Sequence, residues 1–173
     1  MSKQQVSVQI GGKAVTFETG LLALQANGAV SARIGDTIVF SAVTATKKPR
    51  EGVDFFPLQV EYREKYYAAG RFPGGYFKRE AKPSEREILT ARVTDRPLRP
   101  FFPEGYRNDV QINNMLMSTD GENESDVLSV LASSAALVIS DIPFFGPIAA
   151  VRVGRVNGQF KHNPTHAEMQ GSD

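Results

Sequence analysis

Alternating apolar and polar side chains dominate the first third of the chain. The segments QVSVQI (5–10) and KAVTFE (13–18) flank Gly11-Gly12, a pattern typical of a β-hairpin with a tight turn. Further strands are predicted for AVSARIG (29–35), DTIVFSAVTA (36–45) and LQVEYREKYY (58–67). The pattern therefore predicts an all-β region over the first 67 residues.

A helical period replaces this alternation after residue 83. Ser84 and Glu87 form a capping box, which predicts a helix that begins there. We expect this helix to end near Arg96, because Pro97 disfavours helical geometry in the residue before it.

A strand is next predicted for VQINNMLMS (110–118), followed by a helix over SDVLSVLASSAALVIS (125–140). The helix is expected to start with a Ser/Asp cap and to be buried, because apolar residues occur all round it. A second hairpin is predicted around Val156-Asn157-Gly158. This order of elements indicates an α+β domain, with helices packed on a mostly antiparallel sheet.

The composition narrows the class of protein. The 173 residues include no cysteine, so a disulfide framework and a thiolate metal site are both excluded. No segment reaches the length needed to span a membrane, and the N-terminus lacks a cleavable leader pattern. These features predict a soluble, cytoplasmic protein with no membrane partner.

Charge is distributed unevenly along the chain. Residues 63–107 contain eleven Lys/Arg and six Asp/Glu, a net charge of +5, whereas the whole chain carries only +1. The acidic segment DGENESD (120–126) lies outside this basic block. Such polarity would guide a polyanion to one region of the surface.

The stretch GGYFKREAKPSERE (74–87) is the most specific chemical signal. Tyr76 and Phe77 stand beside Lys78 and Arg79 on a glycine-containing loop, where aromatic rings can stack on nucleic-acid bases and cations can hold phosphates. The alternative is a hydrophobic clasp that closes the edge of the sheet.

Three arginines near the end of the first helix form a second candidate. Arg92 and Arg96 are four residues apart and share a helix face, and Arg99 follows Pro97. Guanidinium groups suit phosphate oxygens in geometry and charge. Structural ion pairs, for example with Asp95, are the alternative.

Other constellations are weak. His162 and His166 have Pro164 between them and no third ligand, so we predict no metal site. GRFPGG (70–75) lacks the lysine and the spacing of a P-loop. No arrangement of residues points to nucleophilic catalysis, and we name no catalytic residue.

Three segments carry a resemblance to a known family. They are FFPLQVEYREKYYAAGRFPGGYFKREAKPSEREILTARVTDRPLRPFFPEGY (55–106), SAALVISDIPFFGPIAAVRVG (134–154) and FKHNPTHAE (160–168). They resemble the N-terminal core of the bacterial polynucleotide phosphorylases. The likeness begins near TFETG (16–20) and continues to residue 173.

The resemblance implies a fold and an activity. The fold is ribonuclease PH-like, also called ribosomal protein S5 domain 2-like. The family degrades RNA from the 3′ end with inorganic phosphate and Mg²⁺ and releases nucleoside diphosphates. It works as a homotrimeric ring, in some cases with partners in RNA-degradation complexes. Single-stranded RNA is the implied partner, and DNA is not expected.

By the same resemblance, residues 1–173 look like the first core domain, cut before its last strand and helix. The capping box at Thr165 agrees with this, because it begins a helix for which only a few residues remain. The family's phosphate and Mg²⁺ sites lie mainly in the second core domain, so no cofactor and no phosphorolysis are expected of this chain alone.

The resemblance also assigns residues to RNA. Tyr76, Phe77, Lys78 and Arg79 fill the family's channel-narrowing loop, and Arg92, Arg96 and Arg99 match its arginine-rich helix end. Family members often have two phenylalanines and two arginines in the loop, so Lys78 departs from the pattern and loses a bidentate fork. A free-standing RNA-binding module and a structural ring subunit with inter-subunit ion pairs remain alternatives.

Overall fold

The computed structural model describes residues 2–172, which form a six-stranded sheet, a separate two-stranded hairpin and three helices. The strands are β1 (Gln4–Ile10), β2 (Lys13–Thr19), β3 (Gly28–Ile34), β4 (Thr37–Ala45), β5 (Leu58–Glu64), β6 (Val110–Ser118), β7 (Val153–Val156) and β8 (Gln159–His162). The helices are α1 (Glu85–Leu98), α2 (Ser125–Val138) and α3 (His166–Met169), with 3₁₀ turns at Tyr66–Ala69 and Arg99–Phe101.

The large sheet has the strand order β1-β2-β3-β4-β6-β5. Its first four strands are antiparallel neighbours in sequence, and β4 also pairs antiparallel with β6. Only β5 and β6 are parallel, because the chain crosses between them through α1. The predicted mostly antiparallel α+β fold is therefore confirmed.

Helices α1 and α2 pack beside each other on one face of this sheet. The inward side chains of the central strands meet the apolar side of α2, so that Val39, Ile112 and Leu128 are fully buried. Leu98 anchors the end of α1 in the same layer. Burying these side chains supplies the main driving force for the two-layer architecture.

The buried helix α2 also carries hydroxyl groups that form hydrogen bonds in the interior. Ser133 donates a hydrogen bond of 2.9 Å to the side-chain oxygen of Asn114 on β6. Ser134 accepts one of 2.9 Å from the main-chain N–H of Ile148. The first bond joins α2 to the sheet and the second joins it to the segment after α2, as expected because a buried polar group must find a partner.

Three local predictions were wrong. Helix α1 continues through Pro97 to Leu98, because a proline in the last turn removes only one N–H, and the N–H of Arg99 still bonds to the carbonyl of Asp95. Strand β5 ends at Glu64, where the chain turns into a 3₁₀ segment, so the predicted strand was too long.

The predicted Ser/Asp cap of α2 is the third error. Glu124 is the N-cap residue, and its side chain makes no capping hydrogen bond. The carboxylate of Asp126 forms an ion pair with Arg152 instead. The capping boxes at Ser84 and Thr165 are confirmed, since both reciprocal hydrogen bonds form at each.

Close contact between β3 and α2 generates the first testable prediction. A Cβ on Gly28 would lie 2.2 Å from the carbonyl oxygen of Ala136, so no side chain fits there. We expect Gly28→Ala to lower the free energy of unfolding by about 3 kcal/mol or more, measured by urea denaturation. Gly74→Ala is the matched control, because a Cβ there meets nothing within 4 Å. Equal stability of the two variants would contradict the proposed close packing.

Candidate nucleic-acid interface

The loop that contains the aromatic pair connects the 3₁₀ turn Tyr66–Ala69 to α1. Contacts of Glu80 and Ala81 fix its C-terminal end. Lys65 forms an ion pair of 2.7 Å with Glu80. Arg63 donates a hydrogen bond of 2.9 Å to the carbonyl of Ala81. Both anchoring side chains extend from the end of β5, so the sheet holds the base of the loop.

Glu87 joins the end of the loop to the sheet. It is only 8% exposed, and its carboxylate accepts main-chain hydrogen bonds of 2.6 Å from Ser84 and 2.8 Å from Glu64. Burial alone would raise the pKa of Glu87, but these two hydrogen bonds favour the charged form and lower the pKa below its ordinary value. The capping box of α1 therefore also fixes the position of α1 on β5.

The tip of the loop projects its aromatic rings into solvent. Tyr76 is 93% exposed and Phe77 is 77% exposed. Their rings contact each other edge-to-face, with centroids 5.2 Å apart. A hydrophobic clasp would bury these rings, so the exposure argues against that alternative.

The cations of the loop are free of carboxylates. Among residues 2–172, neither Lys78 nor Arg79 forms an ion pair, although Lys65 and Arg63 nearby are engaged with Glu80 and Glu87. Lys78 has a φ angle of 50°, a conformation that non-glycine residues adopt rarely. The loop thus combines exposed rings with unneutralised positive charge.

The α1 arginines separate into two groups. Arg92 and Arg96 are exposed on the helix, and within the described part of the chain they have no ion-pair partner. Arg99 is structurally engaged: it contacts Asp95 at 2.7 Å and donates hydrogen bonds of 3.1 Å each to the carbonyls of Phe56 and Leu58. Its guanidinium also lies 5.7 Å from the centroid of the Phe56 ring.

A groove of about 530 Å³ runs between β5 and α1. Arg92 and Arg99 line it together with Pro83 at the end of the loop, and Arg63, Glu61 and Asp95 contribute further charges. Positive and negative side chains are balanced along these walls. The groove therefore offers less attraction to a polyanion than the loop does.

Two more cations at the loop were not singled out by the sequence. Arg71 and Lys82 line a depression of about 480 Å³ at the base of the loop. Neither forms an ion pair within residues 2–172. Only their position relative to the anchored segments distinguishes them from Lys65 and Arg63, and the sequence contains no signal for that difference.

A family model matches residues 11–143, and its description is "3′ exoribonuclease family, domain 1". The chain belongs to this 3′ exoribonuclease family. The matched region covers the large sheet from β2 onward, both long helices and the aromatic loop. The family assignment therefore covers the candidate site as well as the fold.

Several polyribonucleotide nucleotidyltransferases are similar to this member of the family. The enzyme of Chlorobium phaeovibrioides is 59% identical over 94% of this chain and 22% of its own length. That of Thermomicrobium roseum is 56% identical over 94% of this chain and 21% of its own length. That of Geobacter sulfurreducens is 53% identical over 100% of this chain and 25% of its own length. The chain thus spans about a fifth to a quarter of these curated relatives.

Two solved structures share the fold of this chain. A chain of an Archaeoglobus fulgidus exosome, described as having RNA bound to the active site, superposes with a TM-score of 0.64 at 19% identity. The alignment covers 99% of this chain and 69% of that one. Rice Rrp46 superposes with a TM-score of 0.63 at 17% identity, over 99% of this chain and 72% of that one. The predicted ribonuclease PH-like fold is confirmed.

Residues 2–172 contain neither a cluster of potential metal ligands nor a helix suited to a membrane. No three His, Asp or Glu side chains lie together as a metal site would require. No helix in this part of the family member is both long enough and apolar enough to cross a bilayer.

The buried carboxylate of Glu87 generates a pH-dependent prediction. Its folded pKa is lowered, so its contribution to stability is complete above the ordinary value of 4.5 and is lost as pH falls through the folded pKa. We expect Glu87→Gln to lower the free energy of unfolding by about 1–3 kcal/mol at pH 7. The difference from the wild type should narrow below pH 4.5 in urea denaturation series.

Glu85→Gln is the control for this variant, because Glu85 lies in the same first turn but is exposed. Equal losses in the two variants, or a Glu87→Gln effect independent of pH, would contradict the role assigned to the carboxylate.

The two groups of arginines generate a differential prediction. Arg99→Ala should lower the free energy of unfolding by about 1–3 kcal/mol, because it removes the ion pair with Asp95 and the two hydrogen bonds to the carbonyls of Phe56 and Leu58. Arg92→Ala should change stability by about 0.5 kcal/mol or less, because the side chain is exposed. Urea denaturation of both variants measures the difference, and a reversed order would show that the contacts of Arg99 are not stabilising.

Proposed function

We propose that this chain is the first core domain of a polyribonucleotide nucleotidyltransferase, a phosphate-dependent 3′-to-5′ exoribonuclease, and that its aromatic loop grips single-stranded RNA. Membership of the 3′ exoribonuclease family and 53–59% identity to such enzymes support the proposal. As the chain spans only 21–25% of those relatives, the activity is a property of the longer protein.

One observation carries the assignment of the loop. Tyr76 and Phe77 are almost fully exposed beside Lys78 and Arg79, which have no carboxylate partner within residues 2–172. Exposed aromatic rings cost free energy in water. A partner with flat faces and negative charge would cover the rings and pair with the two cations. Single-stranded RNA has both properties.

The loop would bind RNA in two ways. The faces of Tyr76 and Phe77 would stack on bases, which contributes about 1–3 kcal/mol per base. Lys78 and Arg79 would neutralise phosphates, with release of counterions. Neither contact reads the edges of bases, so the grip would have little sequence preference and would let the strand advance.

The exposed pair Arg92 and Arg96 would extend the phosphate contacts along α1. Arg99 was grouped with them from the sequence, and its contacts with Asp95 and the β5 carbonyls favour a structural role for it instead. In this respect the ion-pair alternative accounts better for Arg99.

The bond-breaking step needs groups outside this chain. In phosphorolysis, phosphate attacks the last phosphodiester bond and the 3′-terminal nucleotide leaves as a nucleoside diphosphate. Mg²⁺ and inorganic phosphate are the cofactors proposed for the whole enzyme. The described residues do not fit a Mg²⁺ site, because no three candidate ligands lie together, and we assign no catalytic residue here.

A ring of three subunits is part of the proposal. Three copies of the loop around one channel would multiply contacts with a single strand. Partners in RNA-degradation complexes and a cytoplasmic location would accompany this role. A structural ring subunit without RNA contacts is the rival, and it predicts absent or salt-insensitive RNA binding.

The test is fluorescence anisotropy with oligoadenylate and oligouridylate across a salt series. Phe77→Ala should weaken binding by about 1–3 kcal/mol and leave the salt dependence unchanged. Arg79→Ala should flatten the slope of log K against log salt by about 0.7. Both oligonucleotides should give similar affinities.

Phe160→Ala and Arg155→Ala serve as matched controls. Phe160 is 77% exposed, the same as Phe77, but it lies on β8, and Arg155 is an exposed cation on β7. Equal effects of loop and control variants would contradict the proposal, as would binding that is independent of salt.

A further inference from the structure

We propose that Phe72 and Arg71 form a second RNA-binding platform at the base of the loop, separate from the pair at its tip. The proposal rests on the proposed function, and it adds a residue pair that neither the sequence pattern nor the resemblance singled out. It extends the contact with the strand by at least one nucleotide beyond those held at Tyr76 and Phe77.

The exposure of Phe72 is the first observation. Its side chain is 89% exposed, more than that of Phe77. A phenylalanine in water gains nothing from hydrogen bonding, unlike a tyrosine, so its exposure is costly unless a partner covers it. Residues 66–77 hold three more exposed aromatic side chains besides Phe72 and Phe77, namely Tyr66, Tyr67 and Tyr76.

The backbone that carries Phe72 is held in place. The N–H of Arg71 bonds to the carbonyl of Tyr66 at 3.0 Å, which closes the end of the 3₁₀ turn. A hydrogen bond of 3.2 Å from the N–H of Thr119 to the carbonyl of Ala68 holds this 3₁₀ turn against the end of β6. Pro73 then restricts Phe72 to an extended conformation.

This anchoring distinguishes the base of the loop from its tip. The tip follows Gly74 and Gly75, and glycine allows the backbone more conformations than any other residue. A ring on a pre-organised backbone loses less conformational freedom when a base stacks on it. Phe72 should therefore contribute at least as much per ring as Phe77.

The charge of Arg71 supplies the second half of the platform. Within residues 2–172 it has no ion-pair partner, whereas Lys65, Arg63 and Arg86 at the same depression are paired with carboxylates. Arg71 directly precedes Phe72, and the Cα atoms of adjacent residues are about 3.8 Å apart, so the long arginine side chain can reach the phosphate of a nucleotide whose base covers the ring. Planar guanidinium groups are well suited to phosphate oxygens.

The distance along the chain between Phe72 and the rings at the tip allows one RNA strand to contact both platforms. Phe72 and Tyr76 are four residues apart, so their Cα atoms are separated by at most about 14 Å. A dinucleotide can stack both of its bases at the tip, which offers two rings and two cations against one ring and one cation at Phe72 and Arg71, so it would leave Phe72 uncovered. The contribution of Phe72 should consequently depend on the length of the RNA.

The first experiment compares the wild type, Phe72→Ala and Phe77→Ala with oligoadenylates of two to ten nucleotides by anisotropy. On the longest RNA, Phe72→Ala should weaken binding by roughly 5- to 100-fold. On the shortest RNA, it should have little effect while Phe77→Ala keeps its effect. Arg71→Ala should flatten the salt slope by about 0.7.

The second experiment uses the absence of tryptophan from the chain. Phe72→Trp introduces a single indole, whose fluorescence should be quenched when a base of oligoadenylate stacks on it. Phe160→Trp is the control, because Phe160 is equally accessible on β8 and should show no quenching. An unquenched indole at position 72 under saturating RNA would overturn the proposal.

The outcomes separate this proposal from the proposed function. If Phe77→Ala weakens binding and Phe72→Ala does not at any length, the second platform is wrong and the loop still binds RNA. If the wild type binds no RNA, both proposals fail. If Phe72→Ala instead abolishes self-association of the chain in sedimentation, the Phe72 side chain contacts another copy of the protein. That outcome would also overturn the RNA platform.

Discussion

The carboxylate of Glu87 is the interaction on which the geometry of the candidate site depends. It accepts hydrogen bonds from the main chain of Ser84, at the start of α1, and of Glu64, at the end of β5. Two elements separated by twenty residues are thereby held together at one buried charge. The intervening chain must leave the sheet and return within a fixed distance, so it forms a projecting loop rather than a strand or a longer helix.

Neutralisation of charge then divides the basic block into two functional classes. Cations that extend from β5 and from the end of α1 are paired: Arg63 with Glu87, Lys65 with Glu80, and Arg99 with Asp95. These pairs hold the scaffold, and their charges have little effect at a distance. Lys78 and Arg79 on the loop, and Arg92 and Arg96 on α1, have no such partners within residues 2–172, so their charges dominate the local field. The net charge of the chain conceals this division.

Sequence patterns predicted the elements whose signals are local. Alternation gave the two hairpins, and the reciprocal side chains of Ser84 and Glu87 gave the start of α1 correctly. The end of α1 was missed, because Pro97 constrains its own neighbours but the contacts of Leu98 in the core decide whether the helix continues. Propensity acts locally, and tertiary burial overrode it here.

The residues of the candidate site also include some with a local sequence signal and others whose role depends on tertiary contacts. Tyr76 and Phe77 were identified because two adjacent aromatics in a loop are conspicuous in any sequence. The ion pair of Arg99 with Asp95 was weighed as an alternative, but its hydrogen bonds to Phe56 and Leu58 were not foreseeable, because these partners are more than forty residues away along the chain. Whether a given cation is free or paired depends on such distant contacts, so residue type and spacing alone could not separate Arg99 from Arg92.

The contacts of Arg99 and Glu87 also limit the pairing of β-strands from other molecules with the β5 edge of the sheet. Strand β5 is at the edge of the sheet, and an unpaired edge is a template for strands of other molecules. Arg99 occupies the outward carbonyls of Phe56 and Leu58, and Glu87 occupies the outward N–H of Glu64. By the alternation of a strand, the outward main-chain groups of Val60 and Tyr62 remain between these two contacts, which shortens the stretch that another strand could pair with. The side chains that position the loop therefore also guard this edge against aggregation.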